Sequence, residues 1–236
     1  MEILGIIPAR GGSKGLPRKN LALVGGKPLI AWTWEAARAA PSVTRLVVST
    51  DDEPIAELAR SAGVEVPFLR PAELANDTAK AVDVILHALG FLEERAGYRP
   101  ELVLWLQPTS PLRSAEDIEA AVRLRQGHDA DAVVSVCEAR HHPLWMRLLG
   151  AGDRLEPYQG DREPPSRRQE LPRVYELNGA VYLIRREVLL RTQTLFPPDT
   201  RGYPMPPDRS IDVDTSWDLH LADLLLRARG TTEASQ

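Results

Sequence analysis

The sequence predicts an α/β fold, three layers built on a mostly parallel sheet with helices on both faces, and three observations carry that expectation. Apolar runs at residues 3–7, 46–50, 102–106 and 132–136 lack the alternation of half-exposed strands and read as strands buried on both sides. Stretches with a helical apolar period separate these runs in turn. The first run empties into a glycine-rich cationic loop, where an open α/β sheet binds its ligands.

That loop, residues 8–20, places Arg10, Lys14, Arg18 and Lys19 close together, and Gly11, Gly12 and Gly15 free the backbone to turn tightly and present bare N–H groups. This is the chemistry of a polyphosphate cradle. The loop lacks both the Gly-Lys-Ser/Thr end of a P-loop and the Gly-x-Gly-x-x-Gly of a dinucleotide fold. Taken alone it also reads as a basic turn between strand and helix. Lysine occurs only at 14, 19, 27 and 80, so arginine carries the remaining positive charge while two lysines fall inside the loop, where a compact ammonium suits phosphate.

Next, a Gly25-Gly26 turn leads to a helix over residues 28–39, and the strand at 46–50 closes a βαβ unit. Asp52 caps a short helix over 54–62, Gly63 ends it, and 64–66 is a brief strand. Residues 68–78 form a loop ending at Thr78, the expected cap of a helix with Val82, Ile85, Leu86, Leu89 and Leu92 on one face. Strand 102–106 exits into 107–113, after which Ser114, Glu116 and Asp117 open a helix reaching about Gln126. Strand 132–136 follows.

Beyond Cys137 the pattern breaks. Residues 141–172 scatter Pro143, Pro157, Pro164 and Pro165 among charges without a sustained period, which marks an excursion outside the sheet. Alternation returns over 174–185, where Asn178-Gly179 signals a bulge or a close backbone approach. Then come a short helix at 187–191, a proline-rich loop at 194–209, a short strand at 211–215 and a Thr-capped helix over 216–229. The expected organisation is an α/β domain of residues 1–138 and 174–230, an excursion at 139–173, and a frayed tail at 231–236.

At 236 residues the chain can bury one sizeable core, and a formal charge of -4 excludes a nucleic-acid binder with a basic footprint. The single cysteine, Cys137, lies in an apolar run, offers no intrachain disulfide or zinc cluster, and fits a reducing compartment. The first apolar run is too short for a signal-peptide core and no later stretch reaches a bilayer span, so a soluble, cytoplasmic protein without a membrane partner is expected.

Asp212 and Asp214 flank Val213, so on a strand their carboxylates share one face. Such a pair can hold one or two magnesium ions together with substrate phosphates. Alone it reads as readily as a polar strand end before a helix. Combined with the cationic loop, it completes the two halves of a nucleotidyl-transfer site.

Six ordered stretches carry a family resemblance across nearly the whole chain: Ala9-Arg10-x-x-Ser13-Lys14-Gly15-Leu16-Pro17-x-Lys19-Asn20, Val48-Ser49-Thr50-Asp51, Arg70-Pro71-x-x-Leu74-Ala75-x-Asp77-Thr78, Gln107-Pro108-Thr109-Ser110-Pro111-Leu112-Arg113, Asn178-Gly179-Ala180-x-Tyr182 and Asp212-x-Asp214-Thr215. They resemble the cytidylyltransferases that activate nine-carbon acidic sugars, the CMP-sialic acid synthetase family. The resemblance implies a Rossmann-like fold of the nucleotide-diphospho-sugar transferase type. It implies that Arg10, Gly11, Ser13, Lys14, Lys19 and Asn20 contact CTP, and that Arg70, Asn76, Asp77 and Thr78 lie near cytosine or ribose. Asp214 would be the principal ligand of Mg2+, with Asp212 in support. On the sugar side it implies Gln107, Arg168 and Tyr182, which read otherwise as an end-of-strand amide, a solvated arginine and a core tyrosine.

The implied reaction is in-line attack of the anomeric 2-hydroxyl of a 2-keto-3-deoxy acid on the α-phosphate of CTP, assisted by Arg10 and Lys19, with no dedicated histidine base. The excursion resembles the arm of a homodimer, which makes His141-His142 an interface element, and Arg162, Arg167 and Arg173 either serve the acidic substrate or form a solvated basic loop. Two positions depart from the sialic-acid pattern. Trp145 stands where a lysine is expected and Glu176 where an arginine is, with Arg147 as a partial substitute. The competing readings are the same chemistry on 3-deoxy-manno-octulosonic acid, whose enzymes lack the Gly-Gly-Ser-Lys-Gly run, and a nucleotide-binding regulator without turnover.

Overall fold

Complete burial of Ile3, Leu4, Ile6 and Ile7 sets β1 (Ile3–Pro8) at the heart of the computed structural model, which describes residues 1–12, 15–159 and 167–233. From β1 the chain passes the cationic loop, a hairpin of β2 (Leu23–Val24) and β3 (Lys27–Pro28), and helix α1 (Leu29–Arg38) before β4 (Arg45–Ser49). Helices α2 (Glu53–Ser61) and α3 (Ala81–Ala96) lead to β5 (Leu102–Trp105), and α4 (Ala115–His128) leads to β6 (Ala132–Glu138). A second hairpin, β7 (Arg147–Leu149) and β8 (Leu155–Pro157), precedes the long β9 (Tyr175–Arg185). Helix α5 (Arg186–Thr192), strand β10 (Thr200–Met205) and helix α6 (Ser216–Glu233) complete the described chain.

The main sheet runs β10-β6-β9-β5-β1-β4. Strand β9 is antiparallel to both β5 and β6, while the other pairings are parallel. The carboxyl ends of five strands and the start of β9 therefore share one edge, which positions the site.

Both faces of the sheet are covered, as the unalternating strands require. Ile30, Trp34 and Ala37 of α1 and Ile118, Ala121 and Val122 of α4 pack with Ile3, Ile7 and Leu104. Ile85, Ala88, Leu89 and Leu92 of α3 pack with Leu4, Ile6, Val103 and Tyr182 on the other side. Each fully buried aliphatic chain contributes about 1.5–3 kcal/mol. A smaller cluster ties α6, through Ala222 and Leu226, to Leu29, Leu112 and Val213. The expected caps are present: the Ile55 N–H donates to Asp52 Oδ1 at 3.0 Å, and Ser114 and Asp117 form a capping box. Cys137 is buried, as expected. Among the described residues no helix is long and apolar enough to cross a membrane.

Several local expectations are corrected. Thr78 does not cap α3: its hydroxyl and N–H both donate to Asn76 Oδ1, at 2.7 and 2.9 Å, because the asparagine closes its own turn, and the cap position falls to Lys80. The buried face of α3 is Val84, Ile85, Ala88, Leu89 and Leu92, with Val82 and Leu86 only partly covered. Residues 64–66 contribute one bridge, Glu65 to Val47, and no strand. The proline-rich stretch 194–209 contains β10; Pro204 is tolerated there because β10 is an edge strand, whose outer N–H groups need no partner. Residues 211–215 join no ladder, being held by the Val213 N–H on Thr109 O at 2.8 Å. Helix α6 extends into the expected tail as far as Glu233, and 234–236 lie outside the described residues.

Candidate active site

The loop after β1 is tied down at its beginning and at its end. Arg10 Nη1 meets Asp77 Oδ1 at 2.8 Å, and the Gly11 N–H donates to Asp51 Oδ1 at 3.0 Å. The buried Asn20 donates from Nδ2 to Arg10 O at 3.1 Å, pinning the loop's end to its beginning. Among the described residues of the loop the left-handed one is Arg18, with φ 53°, whereas Gly15 permits contact: a Cβ there would lie 2.6 Å from Asp214 O. Ser13 and Lys14 lie outside the described residues.

Asp212 and Asp214 reach the same place without a strand. Val213 is fully buried between them and both carboxylates remain accessible, so the alternation survives. Lys19 Nζ stands 2.9 Å from Asp214 Oδ1. Behind them Asp218 Oδ2 accepts the N–H groups of Asp214 and Thr215 at 3.1 and 2.8 Å, fixing the turn into α6. The Asp212 carboxyl is held above its ordinary range: lost hydration raises it most and Asp214 adds to this, against a hydrogen bond from Thr109 and the charge of Lys19.

Arg70 is buried, with Nε donating to Ser49 Oγ at 3.0 Å and Nη2 to Ser49 O. Burial, aided by Arg10 and opposed by Asp51, lowers its pKa to about 10, so it stays a cation at neutral pH. Gln107 leaves β5 toward the same edge. Its neighbour across the gap, Gly179, lies at φ +70°, and a Cβ there would sit 2.4 Å from Gln107 Oε1, so the glycine leaves room for the amide. Arg113, absent from the sequence candidates, locks this region; its buried Nη1 donates to Ala180 O at 2.8 Å and Gln107 O at 3.2 Å, and burial lowers its pKa to about 9 against the pull of Asp117. Asn178 reaches from β9 to Ser210, with Nδ2 and Oγ 3.0 Å apart, and so holds the segment carrying Asp212.

These residues meet in a cleft of about 400 Å³ whose walls include Arg10, Lys19, Arg70, Gln107, Asp212 and Asp214. A smaller hollow of about 230 Å³ shares Arg10 and Arg70 and is lined by the apolar Leu74, Ala79 and Trp105 together with the polar Asn76 and Asp77. The sequence marks Trp105 only as a strand residue, and the one signal for its place here is its position at the end of β5. Three candidates stand apart. Thr78 braces the Asn76 turn, and Tyr182 takes its core reading, 8% exposed with its ring edge-on to Phe196 at 6.1 Å. Arg168 starts a turn, Arg168–Glu170, and its side chain lies outside what is described. Arg147 does not line this cleft; its Nη1 donates to Leu144 O and Met146 O at 2.8 and 2.9 Å.

The cleft joins cations suited to phosphate oxygens with two carboxylates suited to a hard dication. Among the described residues no group of three or more His, Cys, Asp or Glu converges on a metal. The aspartate pair fits an ion that takes its remaining ligands from a polyphosphate, as magnesium does.

The model of a family described as cytidylyltransferase matches residues 4–197. The chain is 35% identical over 233 residues to the CMP-N,N'-diacetyllegionaminic acid synthase of Legionella pneumophila, covering 96% of this chain and 97% of that protein. It is 38% identical over 221 residues to the N-acylneuraminate cytidylyltransferase of Streptococcus agalactiae serotype III, covering 92% of this chain but only 52% of that one, so it spans about half the streptococcal protein. Among solved structures, a CMP:2-keto-3-deoxy-manno-octonic acid synthetase complexed with CTP superposes with a TM-score of 0.70 at 20% identity, covering 99% of this chain and 100% of that chain.

Proposed function

This chain belongs to the cytidylyltransferase family, and we propose that it transfers CMP from CTP to the anomeric 2-hydroxyl of a nonulosonic acid, sialic, legionaminic or related, and releases pyrophosphate. The observation that carries this reading is the cleft in which Arg10, Lys19 and Arg70 gather with Asp212 and Asp214. Cations alone would suit any anion. Carboxylates beside them make sense when a metal ion and a polyphosphate bind together.

In this reading the triphosphate lies along the loop of Arg10, Gly11, Ser13, Lys14, Lys19 and Asn20. Cytosine enters the hollow over Leu74 and Trp105, with Asn76 and Asp77 as its polar lining, Thr78 bracing that turn and Arg70 beneath. Gln107 faces the sugar, Arg168 is a further candidate for that side, and Tyr182 supports from the core. The hydroxyl oxygen bonds to the α-phosphorus as the bond from that phosphorus to the departing pyrophosphate breaks, and the hydroxyl proton leaves to water. Arg10 and Lys19 take up the charge on the departing oxygens. Magnesium held by Asp214, with Asp212 in support, would neutralise the α-phosphate and acidify the hydroxyl.

The excursion, residues 139–173, is proposed as the arm of a homodimer: Leu148, Leu149 and Leu155 of its hairpin are 50%, 69% and 71% exposed, an apolar surface that a second copy would cover. The cytoplasm, which keeps a lone cysteine such as Cys137 reduced, is the compartment proposed. A nine-carbon acid is favoured over the eight-carbon alternative because the relatives at 35 and 38% identity carry nonulosonic-acid names, whereas the octonic acid enzyme, at 20%, speaks for the fold alone.

The test is pyrophosphate release with magnesium and CTP against N-acetylneuraminic, legionaminic, pseudaminic and 3-deoxy-manno-octulosonic acids, with ATP, GTP and UTP as controls. Release with CTP and a nine-carbon acid is expected. Tight CTP binding without release for any acid would favour the regulator instead.

A further inference from the structure

Three donors in the described part of the cationic loop rest on aspartates. Arg10 Nη1 lies 2.8 Å from Asp77 Oδ1, the Gly11 N–H donates to Asp51 Oδ1 at 3.0 Å, and Lys19 Nζ lies 2.9 Å from Asp214 Oδ1. These carboxylates come from three segments far apart in sequence, after β4, before α3 and before α6. A donor that suits a carboxylate oxygen also suits a phosphate oxygen. A triphosphate laid along the loop therefore has to draw these donors away from aspartates.

At Lys19 the exchange reaches the metal as well, because Asp214 is the carboxylate proposed to hold it. Both backbones are fixed. The turn Lys19–Leu21 is tied by the Lys19 N–H on Leu16 O and the Ala22 N–H on Lys19 O, each at 3.1 Å, and by the buried Asn20. Asp214 gives its N–H to Asp218 Oδ2, and its carbonyl oxygen packs against Gly15. What can move is the lysine stem, which carries a compact charge with three rotatable donors. Resting on Asp214, that ammonium cancels one of the two negative charges that Asp212 and Asp214 would offer a dication. Asp212 supplies the comparison: it lines the same cleft, but its hydrogen bond comes from Thr109.

We infer that Lys19 gates the metal carboxylate: it neutralises Asp214 until a polyphosphate draws its ammonium away, so that divalent cation and nucleotide bind cooperatively. The inference rests on the proposed use of CTP with a divalent cation. A dication arriving alone meets a half-neutralised pair, whereas one arriving with the triphosphate meets both carboxylates free. By reciprocity, a dication on Asp214 releases Lys19 to the phosphates and tightens nucleotide binding by the same factor.

Mn2+ binding to the nucleotide-free protein, followed by loss of the free-ion signal in electron paramagnetic resonance, tests this without any turnover. Lys19→Met should bind Mn2+ roughly 5- to 150-fold more tightly than the wild type, the usual range of such couplings, and Lys19→Arg, which keeps the charge, should not. Losing a positive charge would help any carboxylate in the cleft, and two backgrounds separate that effect: the gain should persist in Asp212→Asn and vanish in Asp214→Asn. The converse measurement needs no metal and leaves Lys19 intact. In excess chelator, calorimetry should show CTP bound more tightly by Asp214→Asn than by Asp212→Asn, because only the first frees the ammonium. Equal Mn2+ affinity in wild type and Lys19→Met, a gain that survives in Asp214→Asn, or equal CTP affinity in the two aspartate variants overturns the inference and leaves the proposed transfer standing. A wild type that binds no CTP overturns both.

Discussion

Replacing Gly179 with alanine separates two effects that coincide near the start of β9. With φ +70° the residue occupies left-handed space, where an L side chain costs about 1–2 kcal/mol. The new Cβ would also lie 2.4 Å from Gln107 Oε1, closer than non-bonded atoms tolerate, and 3.4 Å from Ser110 Oγ. Gln107 Oε1 is the end of a flexible side chain, so the amide moves and the backbone stays; the added energy is small but the amide's aim is lost. Gly97 supplies the control. It caps α3 at φ +61°, and a Cβ there would meet nothing within 4 Å. Each alanine variant should therefore lose about 1–2 kcal/mol, which for a chain of this size lowers Tm by about 2–4 °C per kcal/mol. Only Gly179→Ala should also raise the KM for the acid, with CTP binding retained. Thermal unfolding and pyrophosphate-release kinetics on both variants decide the matter. If Gly97→Ala disturbs the acid KM equally, or Gly179→Ala leaves it alone, the Gly179–Gln107 contact does not position the sugar-side amide.

Asp214→Asn removes the charge facing Lys19 while keeping shape, and turnover should fall about 10²- to 10³-fold with CTP still bound in calorimetry. Arg209→Met strands the buried Asp117, which Arg209 holds at 2.7 and 3.1 Å, and should lower the urea-derived stability by about 2–3 kcal/mol, since Ser114 and Tyr203 keep part of the network. The same carboxylate predicts a pH effect. Burial pushes Asp117 up, but Arg209 and Ser114 outweigh it and hold the carboxyl below its ordinary value, so its contribution is complete above the unfolded pKa of about 3.9 and disappears as pH falls through the lowered folded value. Urea midpoints of the wild type should therefore drop on acidification below about pH 4, and Asp117→Asn should flatten that limb. Leu149→Glu on the exposed hairpin should shift a dimer toward monomer in sedimentation velocity at unchanged Tm.

Much of this architecture was legible in the chain because it is encoded locally. Unalternating apolar runs announce strands covered on both faces, and Asp52, Ser114 and Thr215 announce helix starts through hydrogen bonds that span three residues. Loops that leave the ends of parallel strands converge by topology, and the chemistry of the chain joins the cations of Arg10 and Lys19 to the carboxylate of Asp214, while Gln107 follows from the family resemblance. Other features depend on partners distant in sequence. Among the described residues of the cationic loop the left-handed one is Arg18, while Gly11 and Gly15 stand where Asp52 and Asp214 press against the backbone. Pro204 sits in a strand because β10 became an edge, and Thr78 lost its cap to a bond with Asn76. A second cleft, lined by Arg140, Glu176 and Asp212, exists because β9 runs antiparallel between β5 and β6, which carries its first residues to the edge where the parallel strands end. Local propensity and period determine which segments become strands and helices; the order and direction in which those strands pair is a contest of long-range burial that no window of neighbouring residues records.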